Sequence, residues 1–406
     1  MVELNDENLF DLTCPMQEIK KVNIFFIFKR LPPGRNIVVY GPSSFKSIGD
    51  VKIISLHKLY NLKARSSNLD LFELIIPRTF KELGGILKDY KHTKNIAIIN
   101  LKDSIRYVPV IFFLKKYNYL VVGVNLKYIP LKYSIGSAKN MTKLKSILYC
   151  TIRLIKLYTF PKYDMFLVSA GYKINNNAFC GSGTKILKFP CLDYFRFLMI
   201  RSEISEYEDE IGVFIDQDLP HNSDYKRFKN WPVTEVKYYR DLERWFKHIM
   251  EKFGLSKVII LAHPKTDISI VKRNFLDNRI EVCANKTIEY IAVSKIVICH
   301  FSTAILYAIL FNKPLLFIST SELEDKIEYD IIKDLADTFR RKVNTMDNLY
   351  KTDLDVGIDI KAYKNYYNNY INPSKYENEQ FHEIFYKEVV KNIIFSFNEN
   401  NSKKYN

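Results

Sequence analysis

The sequence predicts an α/β protein built from two parallel-sheet domains, on three observations. The chain has 406 residues, 47% of them apolar, which suits two hydrophobic cores better than one. Short apolar runs rich in β-branched residues alternate with longer helical patterns, the order of strand–helix–strand units. One polar stretch, with Glu203, Glu206, Glu208, Asp209 and Glu210 crowded into it, interrupts that series near its middle. These place a first domain at 1–200, a second at 201–375, and a C-terminal helix and polar tail at 376–406.

The strand candidates of the first half are 36–40, 51–55, 95–100, 119–124 and 165–169. Those of the second half are 211–215, 257–262, 295–299 and 314–318. Each is nearly continuous in hydrophobicity, as strands are when helices cover both faces of a parallel sheet. Between the later runs lie helical patterns. Leu242, Trp245, Phe246, Ile249 and Phe253 form one apolar stripe at helical spacing, with Gly254 as the stop. Shorter helices are expected at 267–276, 287–293 and 303–311, and another at 377–397 before a polar tail at 398–406. Two such domains are Rossmann-like and face each other across a cleft at the carboxyl ends of their sheets, where ligands of open α/β folds bind.

Composition narrows the function classes. Lys and Arg number 61 against 45 Asp and Glu, a formal net charge of +16. That favours anionic partners such as an acidic membrane face. The basic clusters, of which Lys115-Lys116 and Arg340-Arg341-Lys342 are typical, are short and carry no nucleic-acid-binding motif, so no nucleic-acid partner is expected. None of the six cysteines forms a Cys-x-x-Cys pair, and no His/Cys cluster has zinc spacing. Residues 1–7 are not a secretion signal, and no run reaches the roughly 18 apolar residues of a spanning helix. A cytoplasmic protein, peripheral to the inner membrane face at most, is the expectation.

The chemistry is sought where second-half strands end. The run 211–215 leads into Asp216, with Asp218 and His221 close behind, and a carboxylate at a strand's carboxyl end is placed to serve as a general base. The run 257–262 stops at His263-Pro264-Lys265, with Thr266 or Asp267 available to cap the next helix. An imidazole there suits a donor phosphate. The run 295–299 leads through His300 to Ser302-Thr303, hydroxyls at an expected helix start, which together suit a phosphate. Glu289 lies between those two strand ends, where a carboxylate can accept from both hydroxyls of a ribose. The spacing Asp216-Gln217-Asp218 is not set as a metal site, and neither a phosphate-binding P-loop nor a dinucleotide glycine motif is found.

At these residues the sequence resembles the bacterial sialyltransferases and polysialyltransferases of the two-domain GT-B type, and related transferases of legionaminic and pseudaminic acid. His263-Pro264 and Ser302-Thr303 look like that group's His-Pro and Ser-Ser/Thr motifs, and 214–220 is similar to a stretch of the same transferases. The likeness covers about 210–320. It implies an inverting, metal-independent glycosyltransferase that moves a sialic-acid-like sugar from a CMP donor to an oligosaccharide or glycolipid acceptor, in lipooligosaccharide or capsule. It further implies that His263, Ser302 and Thr303 hold the CMP phosphate, with His263 as general acid. Pro264 and Lys265 would contact cytosine, and Glu289 the ribose. The family's acidic-acidic-Gly motif, which carries the base, is absent: Ser169-Ala170-Gly171 stands nearest to it, without a carboxylate. The base is therefore expected at Asp216, with another acid of the first domain as the alternative. A UDP-, GDP- or other nucleotide-sugar donor, or an inactive carbohydrate-binding protein, are the alternatives.

Overall fold

In the computed structural model, described residues are 22–30, 40, 42, 44–47, 49–63, 72–101, 104–126, 159–169, 177, 179–204, 210–221, 232–263, 266–348, 354–372 and 376–390. They form two sheets in which every strand pair is parallel. The first contains β1 (Val22–Phe28), β2 (Asp50–Ser55), β3 (Glu73–Ile75), β4 (Lys94–Asn100), β5 (Tyr119–Asn125), β6 (Met165–Ser169) and β7 (Lys185–Phe189). Their order is β3-β2-β1-β4-β5-β6-β7. The second contains β8 (Ile211–Ile215), β9 (Lys257–Leu261), β10 (Ile280–Cys283), β11 (Ile296–Cys299), β12 (Leu315–Ser319) and β13 (Val343–Thr345). Its order, β10-β9-β8-β11-β12-β13, is the doubly wound 3-2-1-4-5-6 arrangement, and the first sheet repeats it with one strand added. The chain thus has two Rossmann-like α/β units.

The pleat explains why the strands are apolar throughout. Along β1, Ile24, Phe26 and Phe28 enter one core while Phe25 and Ile27 enter the other, on the opposite face. Helices α1 (Phe80–Asp89) and α2 (Val108–Lys116) cover that second face with Leu83, Leu87, Val110, Ile111 and Leu114. The run 36–40 lies outside the described residues except for Tyr40; β1, absent from the sequence-based candidates, is an interior strand between β2 and β4. Helix α3 (Leu192–Ile200) follows β7 and leads toward the second sheet.

In the second half, α4 (Glu235–Phe253) buries Tyr238, Leu242, Trp245, Phe246, Ile249 and Met250. Gly254 ends it at φ +63°, a left-handed residue whose N–H bonds to the Met250 carbonyl. The next helices are α5 (Ile268–Lys272), α6 (Thr287–Val293) and α7 (Ile305–Leu310). The first and last are shorter than 267–276 and 303–311, and the local reasons for their later starts are given below. Helices α8 (Ile327–Thr338), α9 (Ile360–Tyr366) and α10 (Phe381–Phe385) complete the set. Helix α10 returns to the first sheet: Phe381 meets Tyr40 at 5.4 Å, Phe195 at 5.7 Å and Phe189 at 5.9 Å, and Phe385 meets Phe45 at 5.2 Å. The tail 398–406 lies outside the described residues. Among the described residues, no helix is long and apolar enough to cross a membrane.

One glycine in β5 is needed for close packing. A Cβ on Gly123 would intrude on the Tyr163 ring and come within 2.8 Å of Phe166. Both rings are buried and stack on each other at 5.6 Å, so neither can yield cheaply. Gly123→Ala is expected to cost about 1–3 kcal/mol by overpacking, read as a lower urea midpoint with an unaltered slope.

Candidate functional site

The carboxyl ends of β9, β8 and β11 lie side by side because Ile215 pairs with both Leu261 and Cys299. The next residues, Ala262, Asp216 and His300, begin the loops above the sheet. Strand order reverses between β8 and β11, the point where open α/β sheets leave a crevice. The expected residues Asp216, His263 and Ser302-Thr303 stand at these three ends.

Asp216 is only 4% exposed. Its Oδ1 accepts the Asp218 N–H at 2.9 Å, and its Oδ2 has no hydrogen-bond partner among the described residues. Burial raises its pKa from 3.8 to about 7; the Asp218 amide pulls the other way without offsetting it. Asp218 adopts φ +53°, a conformation that Asp tolerates better than most residues. Its Oδ2 accepts from the Thr266 hydroxyl at 2.8 Å, and its Oδ1 faces His221 Nδ1 at 3.3 Å. His221 Nε2 lies 3.1 Å from Glu235 on α4.

The Thr266 bond matters for its neighbour. The Thr266 N–H donates to the His263 carbonyl at 2.8 Å, so the turn after β9 is anchored to the loop after β8 through Asp218. His263 itself is half-buried. Pro264 and Lys265 lie outside the described residues. Asp267, not Thr266, caps α5, accepting the Ser269 N–H at 3.0 Å, and thereby sets the start of that helix at Ile268.

At the third strand end, the Ser302 Oγ accepts the Ala304 N–H at 3.1 Å. This turn holds residues 302–304 out of the helix, and α7 begins at Ile305 with six residues. The helix start expected at Ser302-Thr303 is thus displaced by two residues. Ser302 is half-buried, Thr303 is exposed, and both hydroxyls can still donate. Glu289 is exposed on the first turn of α6.

His300 belongs to the scaffold. It is wholly buried; its Nδ1–H donates to the Ile318 carbonyl at 2.8 Å, and its Nε2 accepts from the Tyr238 hydroxyl at 2.9 Å. Burial lowers its pKa to about 4, which keeps it neutral. Tyr238 and Tyr239 adjoin Asp216, and burial raises both phenols well above their ordinary range. Sequence reading did not find the Asp218–Thr266 bond or the Tyr238–His300 pair, since each joins residues dozens of positions apart. Among the described residues, no three His, Cys, Asp or Glu side chains cluster to hold a metal.

No family model and no curated protein matches the chain. Solved structures do. A UDP-N-acetylglucosamine 2-epimerase is 12% identical, covering 94% of this chain and 98% of its own, with a TM-score of 0.45. The UDP-GlcNAc 2-epimerase of Methanocaldococcus jannaschii is 10% identical over 85% and 98%, at 0.44. MurG of Acinetobacter baumannii is 7% identical over 81% and 87%, at 0.37. The fold assignment rests on strand order and pairing rather than on these distant likenesses.

The raised Asp216 pKa gives a testable pH dependence. Between pH 4 and 7 the unfolded carboxyl ionises while the folded one stays protonated, so this group's contribution to stability falls as pH rises. Asp216→Asn can keep the bond to the Asp218 amide but does not titrate. Relative to wild type it is expected to gain stability from pH 4 to pH 8, by up to about 4 kcal/mol. A variant-minus-wild-type difference that is flat across that range in urea melts would show a carboxyl ionised throughout.

Proposed function

We propose that the chain is a GT-B-type glycosyltransferase whose second sheet holds a nucleotide-sugar donor, a CMP-activated sialic-acid-like sugar. The observation that carries the reading is the convergence of His263 and Ser302-Thr303 on strand ends either side of β8, at the strand-order switch of a Rossmann-type sheet. In this reading His263, Ser302 and Thr303 donate to the donor phosphate, His263 supplies the proton for the leaving group, and Glu289 takes the ribose hydroxyls. Pro264 and Lys265 complete the nucleotide contacts.

A CMP leaving group carries a single phosphate, whose developing charge hydrogen-bond donors can stabilise without a metal ion. The reaction inverts the anomeric carbon, and the acceptor is an oligosaccharide or glycolipid. The basic surface favours peripheral contact with anionic lipid on the cytoplasmic face. The Thr266–Asp218 bond would hold the His263 turn in place before the donor arrives.

Two measurements check the donor assignment. CMP without metal is expected to raise the melting temperature, by about 2–4 °C for each kcal/mol of binding free energy, and His263→Ala to remove most of that rise. A larger rise with UDP or GDP than with CMP overturns the CMP assignment. Thr266→Val should weaken CMP binding about tenfold by releasing the His263 turn, a loss comparable to that of other orienting side chains. Isothermal titration reads it directly.

A further inference from the structure

The first sheet carries a polar row at its own carboxyl edge. Phe28 at the end of β1 pairs with Ser55 of β2 on one side and Asn100 of β4 on the other. Parallel neighbours in register share a face, so Ser55, Phe28 and Asn100 stand in one line across three strands. The Ser55 Oγ bonds to His57 Nδ1 at 2.9 Å, and both residues are buried. The Asn100 side-chain N–H donates to the Tyr40 hydroxyl, and the Tyr40 ring packs 5.9 Å from Phe28. Arg30 follows Phe28 by two residues, as His57 follows Ser55. Its Nε is buried without a partner, and no ion pair or hydrogen bond reaches the guanidinium among the described residues.

This row is connected to the donor side. Tyr40 lies within electrostatic reach of Asp193 and Arg196 on α3. Asp193 pairs with Arg196 at 2.5 Å and accepts from the Tyr307 hydroxyl at 3.3 Å. Tyr307 is on α7, the helix into which Ser302-Thr303 lead. Among the described residues, β1, β2, β4, β5 and β6 lead into Lys29-Arg30, Ser55-Leu56-His57, Asn100, Asn125 and Ser169; Asp103, three positions after β4, lies outside them. Asp216, at the carboxyl end of β8, is 4% exposed and has one oxygen bonded to its own loop.

We infer that this edge is the acceptor site, with His57 as the general base for the attacking hydroxyl and Arg30 as the receiver of an anionic group on the acceptor. The inference rests on the transferase reading above. In this role Nδ1–H donates to the Ser55 hydroxyl, which leaves Nε2 to take a proton. Burial, with Lys58 adding to it, lowers the imidazole pKa, so the ring is neutral at pH 7. The acceptor O–H gives its proton to Nε2 as its oxygen bonds to the donor's anomeric carbon. The bond from that carbon to the CMP phosphate oxygen breaks, and the electron pair leaves on the phosphate. The Arg30 guanidinium, whose Nε has no partner among the described residues, suits a carboxylate or a phosphate on the acceptor.

The test uses the full chain, CMP-N-acetylneuraminate as donor and water as nucleophile, with CMP release as the readout. His57→Gln is expected to slow release at least about a hundredfold, and Ser55→Ala about tenfold, while CMP still raises the melting temperature of both. A His57→Gln rate within about threefold of wild type, or loss of its CMP response, overturns the base assignment. Absence of CMP release from wild type overturns the transferase reading itself. For Arg30, acetate or phosphate at constant ionic strength is expected to slow release, and Arg30→Gln to abolish that inhibition. Whichever anion acts identifies a carboxylate or a phosphate. Inhibition by neither, or inhibition that persists in Arg30→Gln, overturns the anion site.

Discussion

The second sheet's loops depend on one residue, Asp218. It is buried, left-handed in φ, and held at its amide by Asp216. From that fixed position its carboxylate gathers Thr266 from the neighbouring loop and faces His221 from its own. A buried carboxylate is costly unless it is bonded on several sides, and these partners are what make its burial tolerable. The return is rigidity where two strand ends meet. Through Thr266 it also ties down the turn that carries His263.

Asp216 and Asp218 show how two neighbouring acids come to differ. Both are equally buried, at 4% exposure, but Asp218 spends its oxygens on donors while the Asp216 Oδ2 has none among the described residues. The poorly bonded carboxyl is the one whose proton affinity rises. Sequence cannot separate the two, since an Asp-x-Asp spacing is symmetric on paper. What separates them is a threonine 48 positions away.

The same asymmetry governs what was legible at the level of the fold. Interior strands such as β8 and β12 are buried at every position, and their unbroken hydrophobicity announces a parallel sheet. Strands β3, β7, β10 and β13 sit at sheet edges and are partly exposed, so their sequences mix charged or polar residues with apolar ones and give no such signal. Strand β1 was missed for the opposite reason: its three phenylalanines in a continuous apolar run fit a buried helix as well as a strand. Site residues followed this pattern. Those immediately after a legible strand, Asp216, His263 and Ser302, stood out. His57 and Arg30 did not, because a lone histidine and an arginine after a strand carry no local signature, and the row they continue exists only once three strands are in register.

The aromatic closure by α10 bears on the order in which the chain becomes a protein. Phe381 and Phe385 complete a core whose other members, Tyr40, Phe45, Phe189 and Phe195, are synthesised far earlier. On the ribosome the first half therefore emerges with one side of its core unsealed, and stays so while the whole second sheet is made. Folding unit by unit from the N-terminus is interrupted at that point, since the earlier unit waits for the later segment. Until then the rings of Tyr40, Phe45, Phe189 and Phe195 lack the partners that α10 supplies.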